Sequence, residues 1–181
     1  MIDPLLPTAI AYGFAVLLFA AAWHKLSERG RFEAILRDYR LLPEHLVRPL
    51  TVLIPVIELT LALGWVTGLS PHLTIVASAA LLTSYAFAMT INLVRGRIYI
   101  DCGCGFGASA GEGPILSARL VARNILLIGL ALLPLVPTSS RDLGITDFIV
   151  VLASVLVAVL LYAGSGQLIQ NRTAINIWRE D

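Results

Sequence analysis

The chain has 181 residues, of which 57% are hydrophobic and 14% are charged, and its mean hydropathy is +0.84. An average soluble domain is about half apolar and about a quarter charged, so this composition is typical of a membrane protein and leaves no room for a separate soluble domain. The formal charge of +1, with basic residues spread over several loops, argues against a nucleic-acid partner, and two cysteines exclude a disulfide framework.

Apolar runs long enough to cross a bilayer, which takes about 20 residues, occur five times. They predict an all-α, polytopic membrane helix bundle that forms one membrane-embedded domain over residues 1–181, with spans at about 5–24, 49–69, 72–94, 114–137 and 145–163. The first run follows no positive region and ends in Trp23-His24-Lys25 instead of a small-residue cleavage site. We therefore predict a retained span and not a signal peptide.

The segment after the first span is amphipathic. Four apolar residues recur there at the three- and four-residue spacing of one helix face: Phe32, Ile35, Leu36 and Tyr39. This pattern predicts a helix on the membrane surface within 27–46. Because consecutive spans alternate in direction, this helix lies on the same side of the membrane as the loop between the third and fourth spans, and could form a lid.

That loop contains both cysteines of the chain, Cys102 and Cys104, separated by Gly103. Cysteines two residues apart can form a disulfide if the chain turns between them, and a strained disulfide is easily reduced, as catalytic disulfides are. The pair is therefore predicted to be a redox-active disulfide. Two alternatives stay open. The cysteines could be buried small residues without chemistry, or they could bind a soft, low-coordinate ion such as Cu(I), since too few other ligands exist for zinc.

Two arginines follow the cysteine loop. Arg119 and Arg123 lie four residues apart, on one face of the fourth span. Charged residues inside spans are costly and are by default functional or paired. A nearby arginine and a helix N-terminus both stabilise a thiolate. Arg119 and Arg123 are therefore predicted to assist the cysteines in catalysis.

Glu58 is the only acid of the second span. It is predicted to reach Arg123, because both lie roughly 12–14 Å deep from the same face at about 1.5 Å per residue. The two could form an ion pair that fixes helix register, or Glu58 could handle protons or bind a cofactor. Three further residues on this side are grouped with Glu58 as candidate cofactor-binding residues: His24, Asn92 and Asn124. His24 also fits an interfacial anchor.

The remaining motifs give less information about function. The glycines of the cysteine loop do not follow a strand, which excludes a dinucleotide-binding fingerprint. Aromatic residues of the spans, such as Phe14, Tyr85 and Phe87, are predicted to be core or lipid contacts. No metal-ligating cluster is predicted.

Two segments resemble a known family. Arg-Gly-Arg-Ile-Tyr-Ile-Asp-Cys-Gly-Cys at 95–104 and Leu-Val-Ala-Arg-Asn-Ile-Leu-Leu at 120–127 resemble the methylamine utilisation protein MauE family, which belongs with the DoxX-like membrane proteins. The end of the first span and Glu58 after a proline are similar to that family too, so the resemblance covers most of the chain. One departure from the family pattern is Gly105, interposed before Phe106-Gly107.

The resemblance implies disulfide formation in, or maturation of, a client protein, which is methylamine dehydrogenase in the name-giving case. The layout is also similar to vitamin K epoxide reductase and to DsbB-type enzymes, which pass electrons to a quinone. The similarity in layout implies a four-helix core plus a fifth C-terminal span. By this analogy, Cys102 and Cys104 exchange disulfides with a thioredoxin-like protein, and a quinone accepts the electrons beside Glu58, Arg119 and Arg123. The implied partners are membrane lipid, the thioredoxin-like protein and the client.

Two other function classes fit the sequence: a non-catalytic scaffold for a redox partner, and a small transporter or Cu(I) carrier. The expected location is a bacterial inner membrane, but two arguments on orientation disagree. The cysteine side carries six basic residues within 25–48 plus Arg95, Arg97 and Arg119, against Arg141 alone on the other side, which favours a cytoplasmic cysteine loop. Protein disulfides are made outside the cell, and on that ground we favour the exoplasmic face.

Overall fold

The computed structural model describes residues 2–98, 100 and 116–180, so Cys102 and Cys104 lie outside the described residues. The described residues are almost entirely helical, and residues 95–117 separate the fourth helix from the fifth. In chain order the helices are α1 (Leu5–Ser27), α2 (Arg29–Tyr39), α3 (Glu44–Thr67), α4 (Pro71–Val94), α5 (Ala118–Leu132), a 3₁₀ turn at Leu133–Leu135, and α6 (Ile145–Glu180).

Within the described residues, five helical segments are long and apolar enough to cross a membrane: α1, α3, α4, Ala118–Leu135 and Ile145–Ser165. The predicted polytopic helical bundle is confirmed. Several helices extend past the predicted spans: α1 continues to Ser27, α3 begins at Glu44, and α6 continues to Glu180, well beyond the predicted end of the fifth span at about 163. Hydropathy locates the apolar stretch, whereas a helix ends only where the backbone leaves helical geometry, as at the extended Pro43 before α3.

The helix α2 falls within the range predicted for a surface helix. It packs against α3 and α1, and its buried side is formed by Phe32, Ile35 and Tyr39. It ends at Arg40, which has the left-handed φ of 47°. This amphipathic helix therefore covers the bundle on the side where α1 ends and α3 begins.

Aromatic packing holds the centre of the bundle together. Phe14 of α1 stacks on Trp65 of α3, with ring centroids 5.4 Å apart. The indole Nε1 of Trp65 donates a hydrogen bond of 3.0 Å to Oγ of Ser78 on α4. A buried indole N–H needs such a partner, so this contact ties three helices to one another.

The α3–α4 hairpin depends on close helix packing. A side chain at Gly64 would place its Cβ 2.6 Å from Oγ1 of Thr74, which is shorter than any normal contact. Gly68 ends α3 with φ of 65° and donates its N–H to the carbonyl of Gly64 at 3.0 Å. A left-handed C-terminal residue of this kind is most easily supplied by glycine, and Pro71 then opens α4.

The last two helices pack mainly on different partners, α5 against α4 and α6 against α1. At the end of the bundle away from α2, Ile2 pairs with Thr138 through backbone hydrogen bonds. Arg141 bridges Asp3 at 3.2 Å and Asp147 at 3.0 Å. The hydrogen bond from the Leu5 N–H, helped by Arg141, holds the pKa of Asp3 below its usual value. This arrangement fastens the N-terminus to the α5–α6 connection.

Candidate functional site

A buried polar group of three side chains lies where α1, α3 and α4 meet. The ammonium Nζ of Lys25 on α1 contacts Oε1 of Glu58 on α3 as an ion pair. The hydroxyl of Tyr85 on α4 donates a hydrogen bond of 2.8 Å to the same oxygen. We call Lys25, Glu58 and Tyr85 the polar triad.

The two charged members of the triad are buried, and Tyr85 is partly buried. The side chains of Lys25 and Glu58 are 6% and 1% exposed. The Lys25 ammonium also lies 5.5 Å from the ring centroid of Phe32 and 5.2 Å from that of Tyr85, within reach of cation–π attraction. Burying two charges is costly unless they are paired and hydrogen-bonded. Oε2 of Glu58 has no hydrogen-bond partner among the described residues, so one carboxylate oxygen can still accept a proton or a hydrogen bond.

The triad forms part of the wall of a cavity of about 360 Å³, a volume typical of small-molecule sites. The rest of the wall is mainly apolar. Its lining comes from α1, α2 and the residues after it, α3, α4, α5 and α6, and includes Leu17, Phe32, Ile35, Tyr39, Leu42, Ile54, Leu81, Ala88, Met89, Asn124, Leu127 and Tyr162. An apolar chamber with a few converging polar groups is the usual form of a site for an apolar ligand with a polar head.

The ends of the cysteine segment adjoin this cavity. The N–H of Leu116 donates a hydrogen bond of 2.7 Å to the carbonyl of Ile98, which clasps the two ends together. Ile100 and Leu116 are buried and belong to one hydrophobic cluster with Ile35, Tyr39 and Met89. Those last three side chains also line the cavity, so the base of the cysteine segment and the cavity share a wall.

Buried polar atoms gather near the same base. Four have no hydrogen-bond partner among the described residues: Oδ1 of Asn92, Nη1 of Arg97, Oγ of Ser117 and Nε of Arg123. They come from the last turn of α4, the residues after it, and the start of α5. Since buried polar groups are normally paired, this region can receive polar groups of another segment or a ligand.

The predicted meeting of Glu58 with Arg123 is wrong. Glu58 pairs with Lys25, whereas the guanidinium of Arg123 lies 4.5 Å from the ring centroid of Tyr162 on α6. The reason is the arrangement of the helices: α3 packs most closely against α1, while α5 packs most closely against α4. Equal depth in the membrane does not make two side chains neighbours.

Of the other predicted site residues that the structure describes, one lines the cavity and three do not. Asn124 is buried and lines the cavity with Glu58. Asn92 is fully buried, donates to the carbonyl of Ala88 at 3.1 Å, and is not among the lining residues. His24 lies 3.9 Å from Glu28 on the outer side of α1 and does not line the cavity either. Arg119 is exposed on the first turn of α5.

Sequence reasoning missed Lys25 and Tyr85 as members of the site. The sequence places Lys25 at the end of the first span and predicts that Tyr85 is a core or lipid contact. Tyr85 does pack against the hydrophobic core, but its hydroxyl also donates to Glu58, which the sequence did not indicate. A signal for Lys25 did exist. A carboxylate inside a span requires a partner, and Lys25 stands at the same-side end of the neighbouring span.

Comparison with known proteins identifies the family. The family profile described as methylamine utilisation protein MauE matches residues 3–137, which contain α1 to α5, the whole polar triad and both cysteines. The chain belongs to the MauE family. Two members named methylamine utilization protein MauE are similar to it. The protein of Paracoccus denitrificans is 35% identical over 96% of both chains. That of Methylorubrum extorquens is 34% identical over 92% of this chain and 95% of its own.

No solved structure gives a significant match. The profile ends before α6, but the Paracoccus protein is similar over nearly the full length of this MauE-family chain. The family name connects the chain with methylamine utilisation, as the resemblance in the sequence predicted.

Proposed function

We propose that this MauE-family chain is a membrane-embedded thiol–disulfide oxidoreductase that takes electrons from a thioredoxin-like protein and passes them to a quinone. It would thereby support maturation of a disulfide-containing client protein in methylamine utilisation. The observation that supports this best is the wall shared by the apolar cavity with its polar triad and the clasped base of the segment that carries Cys102 and Cys104.

The proposed reaction has two balanced halves. In the first, a dithiol of the partner reduces the Cys102–Cys104 disulfide by thiol–disulfide exchange: the partner becomes a disulfide, and the pair becomes two thiols. In the second, the two thiols reform their disulfide and give two electrons and two protons to the quinone, which becomes a hydroquinone. The pair returns to its starting state.

The triad suits the second half-reaction. An ammonium has three N–H donors, so Lys25 can donate to a ring oxygen of the quinone while it stays paired with Glu58. Such a donor stabilises negative charge as it develops on that oxygen. The second oxygen of Glu58, which has no partner among the described residues, could accept a proton during the reaction. Arg119 stays the candidate to stabilise a thiolate, because it is near the start of α5.

The decisive assay is electron transfer from a reduced thioredoxin-fold protein to a quinone, followed by quinone absorbance with the chain in lipid nanodiscs. Cys102→Ser and Cys104→Ser should each abolish turnover, whereas Ser109→Ala in the same segment should not. Unchanged turnover in either cysteine variant would refute the proposal. A normal complex with the redox partner but no quinone reduction by the wild-type chain would favour the scaffold function.

A second pair of variants separates the two half-reactions. Ala88 lines the cavity, whereas Ala80 is exposed on the same helix and does not. Ala88→Phe should fill the chamber, raise KM for the quinone and leave disulfide exchange with the partner unchanged, while Ala80→Phe should alter neither. Equal effects of the two variants would show that the quinone does not bind in this cavity.

The proposed location is the bacterial inner membrane, with the cysteine segment on the exoplasmic face. A membrane-impermeant thiol reagent added to intact cells should label the reduced Cys102 or Cys104. Labelling only after the cells are permeabilised would place the segment in the cytoplasm, as the distribution of basic residues indicates.

A further inference from the structure

A second cavity adjoins the first and leads away from the polar triad. It has a volume of about 240 Å³ and is lined by α1, α5 and α6. Three residues belong to the walls of both cavities: Leu17, Leu127 and Tyr162. We call this second cavity the tail groove.

From the residues shared with the first cavity, the lining of the tail groove extends in one direction along all three helices. On α1 its lining runs from Leu17 back to Ala9, which is roughly 12 Å at about 1.5 Å per residue. On α5 it extends from Leu127 to Leu130, and on α6 from Tyr162 back to Ser154. Since α5 runs antiparallel to α1 and α6, these steps all lead away from the end of the bundle that carries α2 and the cysteine segment.

Polarity falls along the same path. The first cavity has the triad and Asn124 in its wall. In the tail groove, the side chains that belong to it alone are apolar except for Ser154, whose hydroxyl donates to the carbonyl of Val150 in its own helix at 2.7 Å. The two cavities together therefore match a molecule with a polar head and a long apolar chain.

We infer that the tail groove holds the isoprenoid chain of the quinone whose ring lies beside the polar triad. This inference rests on the proposed function and adds to it the substrate class, a prenylated membrane quinone. A ring and its first substituents can occupy a chamber of about 360 Å³, but a long chain must leave it, and the side chains that line both cavities, Leu17, Leu127 and Tyr162, mark the place where it would pass into the tail groove. Because α5 and α6 both line the groove, the chain would reach it from the bilayer between these two helices.

Gly13 provides a clean test. It lines the tail groove, and a Cβ added there would meet nothing within 4 Å. The Cβ of a leucine therefore has room at this position, and Gly13→Leu should place an isobutyl group in the groove; leucine is also a better helix former than glycine. Gly129 on α5 offers a matched control, because its added Cβ also meets nothing within 4 Å, yet it lines neither cavity. Ala158→Leu fills the groove from the α6 side and serves as a second variant.

The measurement is the affinity of the chain in nanodiscs for two probes, a benzoquinone ring without a side chain and the same ring with a geranylgeranyl chain. Wild type and Gly129→Leu should prefer the prenylated probe. Gly13→Leu and Ala158→Leu should reduce that preference roughly tenfold and leave binding of the bare ring unchanged, because the displaced chain loses many small packing contacts. Taking the ratio of the two affinities within each variant cancels partitioning of the probes into lipid.

The outcomes separate the two proposals. Equal affinity of wild type for both probes, or a preference for the prenylated probe that survives in both groove variants, would overturn the assignment of the tail groove to the isoprenoid chain. Neither result would contradict the proposed quinone reaction. Binding of neither probe would refute the proposed function and the prenylated substrate with it. A phospholipid retained by wild type in native mass spectrometry, lost in Gly13→Leu and not displaced by the prenylated probe, would assign the groove to a structural lipid instead.

Discussion

Replacing Lys25 by methionine should destabilise the chain strongly, because it leaves the Glu58 carboxylate buried without its counter-ion. Both side chains are almost fully buried, at 6% and 1% exposure. Removing one partner of a buried ion pair costs about 3–5 kcal/mol, whereas replacing both by neutral groups of similar size is often close to neutral. Methionine keeps most of the apolar stem of Lys25, so the change isolates the charge.

The measurement is a double-mutant cycle of Lys25→Met, Glu58→Gln and the double variant, with unfolding followed by circular dichroism in mixed detergent. The double variant should recover at least about 2 kcal/mol relative to the sum of the single losses, since residues in contact are not additive. Arg37→Met is the surface control. Arg37 is 48% exposed and pairs with Glu33 at 2.7 Å, and such pairs contribute about 0–1 kcal/mol. Strictly additive losses within the Lys25–Glu58 cycle would refute the buried pair.

Other predictions concern hydrogen bonding and helix packing. Tyr85→Phe should lower the free energy of unfolding by about 1.5–3 kcal/mol, because it removes the hydroxyl that donates to charged Glu58; a loss of the same size in a Glu58→Gln background would show that the two groups are not coupled. Gly64→Ala should cost about 1–3 kcal/mol through overpacking against Thr74, whereas Gly129→Ala, which meets no atom, should be neutral or slightly stabilising. Adding Thr74→Ala to Gly64→Ala should restore stability in thermal unfolding; no recovery would mean that the α3–α4 contact is not the cause.

Much of the fold follows from the apolar pattern. Long apolar runs leave few alternatives to spanning helices, because every backbone N–H and C=O inside a bilayer must be bonded within its own segment. The periodic Phe32, Ile35 and Tyr39 likewise indicated α2, and the structure buries all three. The ends of the helices were less predictable, since the hydropathy of a segment does not depend on where its helix is capped.

The site was predictable only in part. Glu58 stood out in the sequence because a lone carboxylate in a span is costly. Its partner did not, because several basic residues lie on the same side at comparable depth. The choice of Lys25 over Arg123 depends on which helices touch, and that follows from packing across the bundle.

The sequence by itself determined that this is a multi-pass helical membrane protein with a cysteine pair, two arginines in the fourth span and a carboxylate inside the second. These features are local: each depends on composition or spacing within one segment. Only the tertiary structure decided that Lys25, Glu58 and Tyr85 meet in one cavity and that a second cavity adjoins it between α1, α5 and α6. Cavities arise where helices from distant parts of the chain fail to fill the space between them, and no single segment specifies that space.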